Sequence, residues 1–229
     1  MNNKRFIHKI KKECDIQTTF IILCGRKSNK RGYKNIPLTQ INNEETLIDK
    51  QINIIDSNYK NYEIIIVSGF EHDKIVNHIH NSGYTNVRIA ENKDYKSSNA
   101  FDGWRFALNI ALTEDTYIIH GDRLFNNSFI KANTRDTHTF IHDSDKNNYD
   151  LGLSVKDKMF VNMSYGLPNV WSEIFFINKS DFNLIRNIAN QYKQRKIYNI
   201  ECFLNILSNH INISVLSQNA QEIKILKEI

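Results

Sequence analysis

The sequence is short of the residues that mark several broad classes. Its 229 residues include only 2 Pro and 8 Gly, too few for a collagen-like repeat, a Pro-rich spacer or a long flexible linker. Cys14, Cys24 and Cys202 are odd in number and widely spaced, which argues against a disulfide framework and against a zinc site. No apolar run reaches the roughly 18–20 residues needed to span a bilayer. Met1–Lys12 is basic but lacks an apolar stretch, so no secretory signal is expected and a reducing, cytoplasmic setting follows. No internal repeat or low-complexity tract interrupts the chain.

Hydrophobic residues make up 41%, enough for a substantial core, and the length suits one large domain. The expected layout is a basic N-terminal extension over 1–17 and a single domain over 18–229. Lys and Arg exceed Asp and Glu by 30 to 25, for a formal charge of +5. The excess gathers in two clusters. Lys4, Arg5, Lys9, Lys11 and Lys12 form the first, which reads as a solvated face. Arg26, Lys27, Lys30, Arg31 and Lys34 form the second. Clustered cations suit a phosphate-bearing partner, but no aromatic-interleaved basic motif points to nucleic acid.

Apolar runs between polar segments set out the elements. Strands are expected at Thr18–Cys24, Glu63–Ser68, Asn86–Ala90 and Thr116–His120, and helices at Thr46–Ser57, Glu71–His80 and Ser98–Ala111. This alternation predicts parallel pairing through right-handed crossovers. Beyond Asp122 it stops. Shorter strands are expected at Thr137–His142, Gly152–Val155, Met159–Met163, Ile174–Ile177 and Ile211–Leu216, with helices at Lys179–Gln194 and Ile200–Ser208. Lys4–Lys12 reads as a short basic helix. The fold class is therefore α/β, a Rossmann-like (GT-A-type) mostly parallel sheet flanked by helices, with a small β-rich segment.

Three segments carry candidate chemistry. The loop after the first strand, Leu23–Lys34, leaves a carboxyl strand end, where open α/β sheets bind ligands, and its cations and amides suit a triphosphate. It reads equally as a basic surface loop. His120-Gly121-Asp122-Arg123-Leu124-Phe125 follows the fourth strand; a carboxylate there suits Mg²⁺, although Asp after Gly is also an ordinary turn. Asn92 to Asn99 precedes a helix, and Ser98 or Asn99 would cap it. His138 and His142 share one strand face near Asp143 and Asp145, but no Cys completes a metal cluster there. Cys24 sits in an apolar run and reads as a core residue.

In order, these pieces resemble the nucleotidyltransferases that join a sugar-1-phosphate or phosphocholine to a nucleotide, in particular the choline-phosphate cytidylyltransferases of bacterial surface-polymer pathways. The similarity runs from Thr18 to the C-terminus. It rests on Ile21-Ile22-Leu23-Cys24-Gly25, then Pro37-Leu38-Thr39-Gln40-Ile41, then Thr46-Leu47-Ile48-Asp49-Lys50-Gln51-Ile52. Ile64 to Ile75, Asn92 to Asn99 and Gly121-Asp122-Arg123-Leu124-Phe125 continue it.

The resemblance implies a nucleoside triphosphate and a phosphorylated small-molecule acceptor as partners, with Mg²⁺ as cofactor and pyrophosphate as leaving group. It implies Asp122 as the metal ligand, and Lys34 and Arg31 as catalytic cations. Leu23, Gly25, Arg26, Lys30 and Asn99 would contact the nucleotide. Neither a membrane span nor nucleic acid is implied; homo-oligomer formation is left open.

Departures are equally plain. The usual second loop Gly is Lys27, the usual Arg and Lys positions fall on Asn29 and Ile36, and no acid stands at Leu216-Ser217-Gln218. Glu222 is near, on what reads as a helix. Two rival readings therefore stand beside transfer: a non-catalytic nucleotide-binding relative, or a GT-A-type glycosyltransferase using a nucleotide-sugar. The single acid of His120-Gly121-Asp122, in place of an Asp-x-Asp pair, favours transfer over the latter.

Overall fold

The computed structural model describes residues 15–26, 35–125, 136–143, 150–194, 199–218 and 223–225. The expected helix over Lys4–Lys12 and residues 27–34, which include Lys30, Arg31 and Lys34, lie outside the described residues.

The first half is a doubly wound parallel sheet. It comprises β1 (Thr18–Cys24), α1 (Leu47–Asn58), β2 (Tyr62–Ser68), α2 (His72–Ser82), β3 (Val87–Glu91), α3 (Ala100–Leu108) and β4 (Thr116–His120). The strands lie in the order β3-β2-β1-β4, all parallel. Strand residues alternate between two cores, as a period of two requires. Phe20, Ile22, Ile64 and Ile66 pack with Ile48, Ile52 and Ile55 of α1 and Ile75 and Ile79 of α2. Ile21, Ile65 and Val67 pack on the other face with Phe101, Trp104 and Ala107 of α3. Because both faces are covered, these strands read as continuous apolar runs.

The second half is mixed. β5 (Arg123–Phe125), β6 (His138–Asp143), β7 (Leu151–Lys156), β8 (Met159–Tyr165), β9 (Asn169–Ile177), α4 (Lys179–Gln194), α5 (Ile200–Leu207), β10 (Ser214–Gln218) and β11 (Ile223–Ile225) follow. β9 runs antiparallel to β4 and continues the sheet as β9-β6-β10-β8-β7. β7 and β8 form a hairpin whose turn residues Asp157 and Lys158 both have positive φ, as a tight two-residue hairpin favours. The β-rich segment thus joins the main sheet.

Several expectations need correction. The helix expected around Glu222 is replaced by β11, which pairs antiparallel with β5 through Ile223↔Phe125 and Ile225↔Arg123; Glu222 itself lies outside the described residues. A run as short as Ile223–Ile225 has no period long enough to distinguish the two. The last main strand is Ser214–Gln218, not Ile211–Leu216. β9 starts at Asn169, five residues before the expected Ile174, because the adjacent polar pair Ser172-Glu173 interrupts the apolar pattern. α3 is shorter than expected, starting after its cap Asn99 and ending at Leu108.

Candidate functional site

The chain runs from β1 outward to β2 and β3, then crosses back over the opposite face through α3 to β4. The gap between the carboxyl ends of β1 and β4 is therefore a topological switch point, the place where open α/β sheets bind ligands. Gly25 follows β1 and Asp122 follows β4. Leu23 pairs with His120 in register, and the Gly121 amide donates to the Leu23 carbonyl at 3.0 Å. The sequence expectation that Gly25 and Asp122 share the carboxyl edge holds.

Close approach requires glycine at Gly121. A Cβ there would lie 2.8 Å from both Cys24 Sγ and the Leu23 carbonyl, and 3.1 Å from Pro37. Gln51, fully buried on α1, fixes the same turn: its amide donates to the carbonyls of Arg123 (2.6 Å) and His120 (3.2 Å). This explains a Gln in an otherwise apolar helix face. Cys24 lies beneath the turn; burial, and then the charge of Asp122, push its thiol up, so it stays protonated and serves as packing.

The loop after β1 is anchored to this edge at both ends. The Phe70 amide donates to the Gly25 carbonyl at 3.1 Å, and Asn35 Nδ2 donates to the Phe70 carbonyl at 3.3 Å. Arg26 is exposed. Leu23 has its carbonyl engaged by Gly121 and its side chain 3.2 Å from where a Cβ on Gly103 would sit. Asn99 forms a reciprocal capping box with Asp102: its side chain accepts from the Asp102 amide at 3.2 Å, and its own amide donates to Asp102 Oδ2 at 3.1 Å. Asn92 Nδ2 donates to Ser98 Oγ at 2.7 Å.

The sequence reading missed Glu173. His120, Asp122 and Glu173 present potential ligand atoms all within 4.8 Å of one another. Glu173 stands in the middle of β9 with φ 60°, a left-handed conformation uncommon for a residue other than glycine. The register explains it: Thr139 pairs with Phe175 and Ile141 with Trp171, so β9 carries extra residues there. Such a bulge re-aims a side chain. Thr139 staples it, donating to the Ile174 carbonyl at 2.8 Å and accepting from Trp171 Nε1 at 2.7 Å.

Glu173 is already paired. One oxygen meets His120 Nδ1 at 2.6 Å and the other meets the Arg123 guanidinium. Burial would raise its pKa, but His120 and Arg123 outweigh burial and hold it well below the usual carboxylate range. Arg123 is only 4% exposed; burial opposes its charge, yet Glu173 and Asp122 keep it protonated. Asp122 differs. Its Oδ1 is buried without a hydrogen-bond partner, 3.5 Å from Arg123 Nε, while about a third of the side chain is exposed. An orphaned buried carboxylate oxygen beside an accessible one fits a hard cation completed by phosphate oxygens and water.

His138 is buried between Phe140 and Phe176, with Nδ1 2.8 Å from the Asp136 carbonyl. Burial lowers its pKa, which supports a neutral core ring.

The fold is that of nucleotidyltransferases. The chain is similar to the structure of CTP:phosphocholine cytidylyltransferase from Streptococcus pneumoniae, with TM-score 0.77 and 16% identity over 93% of this chain and 95% of that one. It also resembles a putative glucose-1-phosphate thymidylyltransferase from Bacillus anthracis (0.71, 11%, over 88% and 87%). A third likeness is to the inositol-1-phosphate CTP transferase from T. maritima (0.64, 14%, over 90% and 87%). No family model matches the sequence, and no curated protein matches it significantly. No helix among the described residues is long and apolar enough to cross a membrane.

Proposed function

We propose that this protein is a nucleotidyltransferase that joins a nucleoside triphosphate to a phosphorylated sugar or alcohol and releases pyrophosphate. The observation that carries the reading is Asp122, held at the switch point on a turn fixed by Gly121 and Gln51, with a buried carboxylate oxygen that has no hydrogen-bond partner and only the Arg123 guanidinium 3.5 Å away. The fold and the structures it resembles support the same reading.

An acceptor phosphate oxygen forms a bond to the α-phosphorus while the α–β bridging bond breaks. The electron pair leaves with pyrophosphate. Such chemistry depends on positioning and charge neutralisation more than on proton transfer. Gly25 and the amides that follow cradle the triphosphate. Arg26, Lys30, Arg31 and Lys34 would supply positive charge, with Lys34 and Arg31 as the catalytic cations, from a loop whose flanking residues Gly25 and Asn35 both contact Phe70. Leu23 borders the nucleotide. Asn99 contacts it with the amide nitrogen that its capping bonds leave available. Asp122 would hold Mg²⁺, which would supply charge neutralisation at the phosphate oxygens. A cytoplasmic setting suits these substrates.

The test is a panel of triphosphates and phosphorylated acceptors with Mg²⁺, read by pyrophosphate release. Release that requires both substrates supports transfer. Cleavage of a nucleotide-sugar without pyrophosphate would move the reading to a glycosyltransferase. One observation favours a non-catalytic reading: Glu173, the second carboxylate of the site, already has both oxygens engaged, by His120 and Arg123. Saturable triphosphate binding with no turnover for any acceptor would establish it. For the loop cations, the K30Q/R31Q/K34Q variant is expected to lose at least tenfold in triphosphate affinity, about 1.4 kcal/mol, with the melting temperature of the free protein nearly unchanged.

A further inference from the structure

Two arginines paired with acids in this fold are treated very differently: the Arg88 side chain is 30% exposed, and Arg123 is buried. Arg88, at the amino edge of the sheet, donates from Nε to Glu63 at 2.8 Å and from Nη2 to the Ile110 carbonyl at 2.7 Å. Arg123, at the carboxyl edge, is the more deeply buried, yet its Nε and Nη1 lack hydrogen-bond partners. A guanidinium placed only to stabilise the fold would have these donors satisfied. Arg123 instead stands between two carboxylates: paired with Glu173 through Nη2, and 3.5 Å from Asp122 Oδ1 through Nε.

The backbone is distorted to build this arrangement. Glu173 adopts φ 60° in mid-strand, on a bulge stapled by Thr139. Strain of this kind persists only where the surroundings enforce it, and it gathers at functional sites. Its result is a second carboxylate within 4.8 Å of Asp122 and His120, with both oxygens occupied by protein cations or donors.

We propose that the Arg123 guanidinium takes the place of a second metal-bound charge at this site, so that Glu173 serves Arg123 and Asp122 alone ligates a single divalent cation. The inference rests on the nucleotidyltransferase reading only for the identity of the metal; the contacts stand without it. Two carboxylates this close would together attract a divalent ion strongly. With Arg123 between them the local charge is one unit less negative, and Glu173 has no free oxygen to offer. The site is thereby tuned to weak metal binding until phosphate oxygens complete the shell. Arg123 is thus a positioning and charge-balancing residue, not a catalytic one.

Direct binding of Mn²⁺ to the free protein tests this, read by electron paramagnetic resonance at fixed ionic strength. The wild type should bind one ion weakly. Arg123→Met frees one Glu173 oxygen, the other remaining on His120, and should bind Mn²⁺ at least tenfold more tightly, with a melting temperature that rises with added Mn²⁺ more than the wild type's does. R123M/E173Q removes both charges, leaves no buried ion unpaired, and should return to within about threefold of the wild-type affinity. Unchanged affinity in a folded R123M would overturn the proposal. So would a loss of tenfold or more in R123M/E173Q, which would make Glu173 a ligand in the native site. If R123M does not fold, the double variant decides alone. These constants do not depend on turnover, so absence of transfer activity would count against the proposed function and leave this comparison standing.

Discussion

The two edges of the parallel sheet each hold a carboxylate, buried at one edge and about a third exposed at the other, and they treat it in opposite ways. At the amino edge Glu63 is fully buried and saturated. It accepts from Thr19 Oγ1 at 2.8 Å, the Leu112 amide at 2.6 Å, and Arg88 Nε at 2.8 Å. At the carboxyl edge Asp122 keeps a buried oxygen with no hydrogen bond, only a 3.5 Å ion pair to Arg123 Nε. A saturated acid joins elements together: Glu63 ties β1, β2, β3 and the turn before β4. An acid left unsaturated in a turn fixed by Gly121 and Gln51 is stabilised for another purpose, and the energy of leaving it unpaired is available to a ligand. On the proposed function, this difference separates a structural carboxylate, Glu63, from a ligand-binding one, Asp122.

The strongest challenge to this contrast is to remove Glu63. Glu63→Leu leaves Arg88 without its ion partner and should destabilise the protein by about 3–5 kcal/mol, measured by urea unfolding, with triphosphate affinity of the folded fraction unchanged. Asp122→Asn should do the reverse. Next in size is Gln51→Leu, which strips the donors from two carbonyls of the Asp122 turn. We expect about 1–3 kcal/mol in stability, together with weaker triphosphate binding because the turn loses its brace. An unfolding loss without a binding loss would make Gln51 a core residue only.

A smaller effect is expected at Asn99. Asn99→Ala removes the α3 cap and should cost about 1 kcal/mol. If Asn99 also touches nucleotide, Asn99→Asp, which keeps the cap, should still weaken binding. The smallest effect is one of pH. Burial would raise the pKa of Asp49, but hydrogen bonds from His78, Thr46 and Tyr84 outweigh it and hold the group well below the usual carboxylate range. A depressed folded pKa contributes stability that is present above the unfolded value of about 4 and lost as pH falls through the folded value. Between pH 4 and 2, Asp49→Asn should therefore flatten the fall in stability, while triphosphate binding at neutral pH stays unchanged. An acid limb as steep as the wild type's would remove Asp49 from this role.

The same asymmetry governs what the sequence made legible. β1, β2 and β4 were readable because each is buried on both faces, and each helix shows its stripe locally; β1 and β4 matched to the residue. Asp122 and Gly25 followed because carboxyl strand ends are positions along the chain. Glu173 was not readable. Its importance comes from a bulge, and a bulge breaks the alternation that marks a strand, so Asn169–Glu173 looked like a loop. Arg123 was hidden differently: as one cation among many in the sequence, it becomes distinctive only through burial against an acid 50 positions away, on a strand that pairs with β4. β11 was missed because three residues carry too little pattern to set against tertiary pairing.

If the switch point between β1 and β4 binds a metal-complexed triphosphate through Asp122, removing that carboxylate's charge must weaken binding only where Mg²⁺ is present. Calorimetric titration of a nucleoside triphosphate into wild type and Asp122→Asn, with and without Mg²⁺, tests it most directly. Mg²⁺-dependent binding should fall at least tenfold in the variant, about 1.4 kcal/mol, with the melting temperature of the free protein nearly unchanged. Equal affinities across the full range of Mg²⁺ would contradict it and reduce Asp122 to a turn residue.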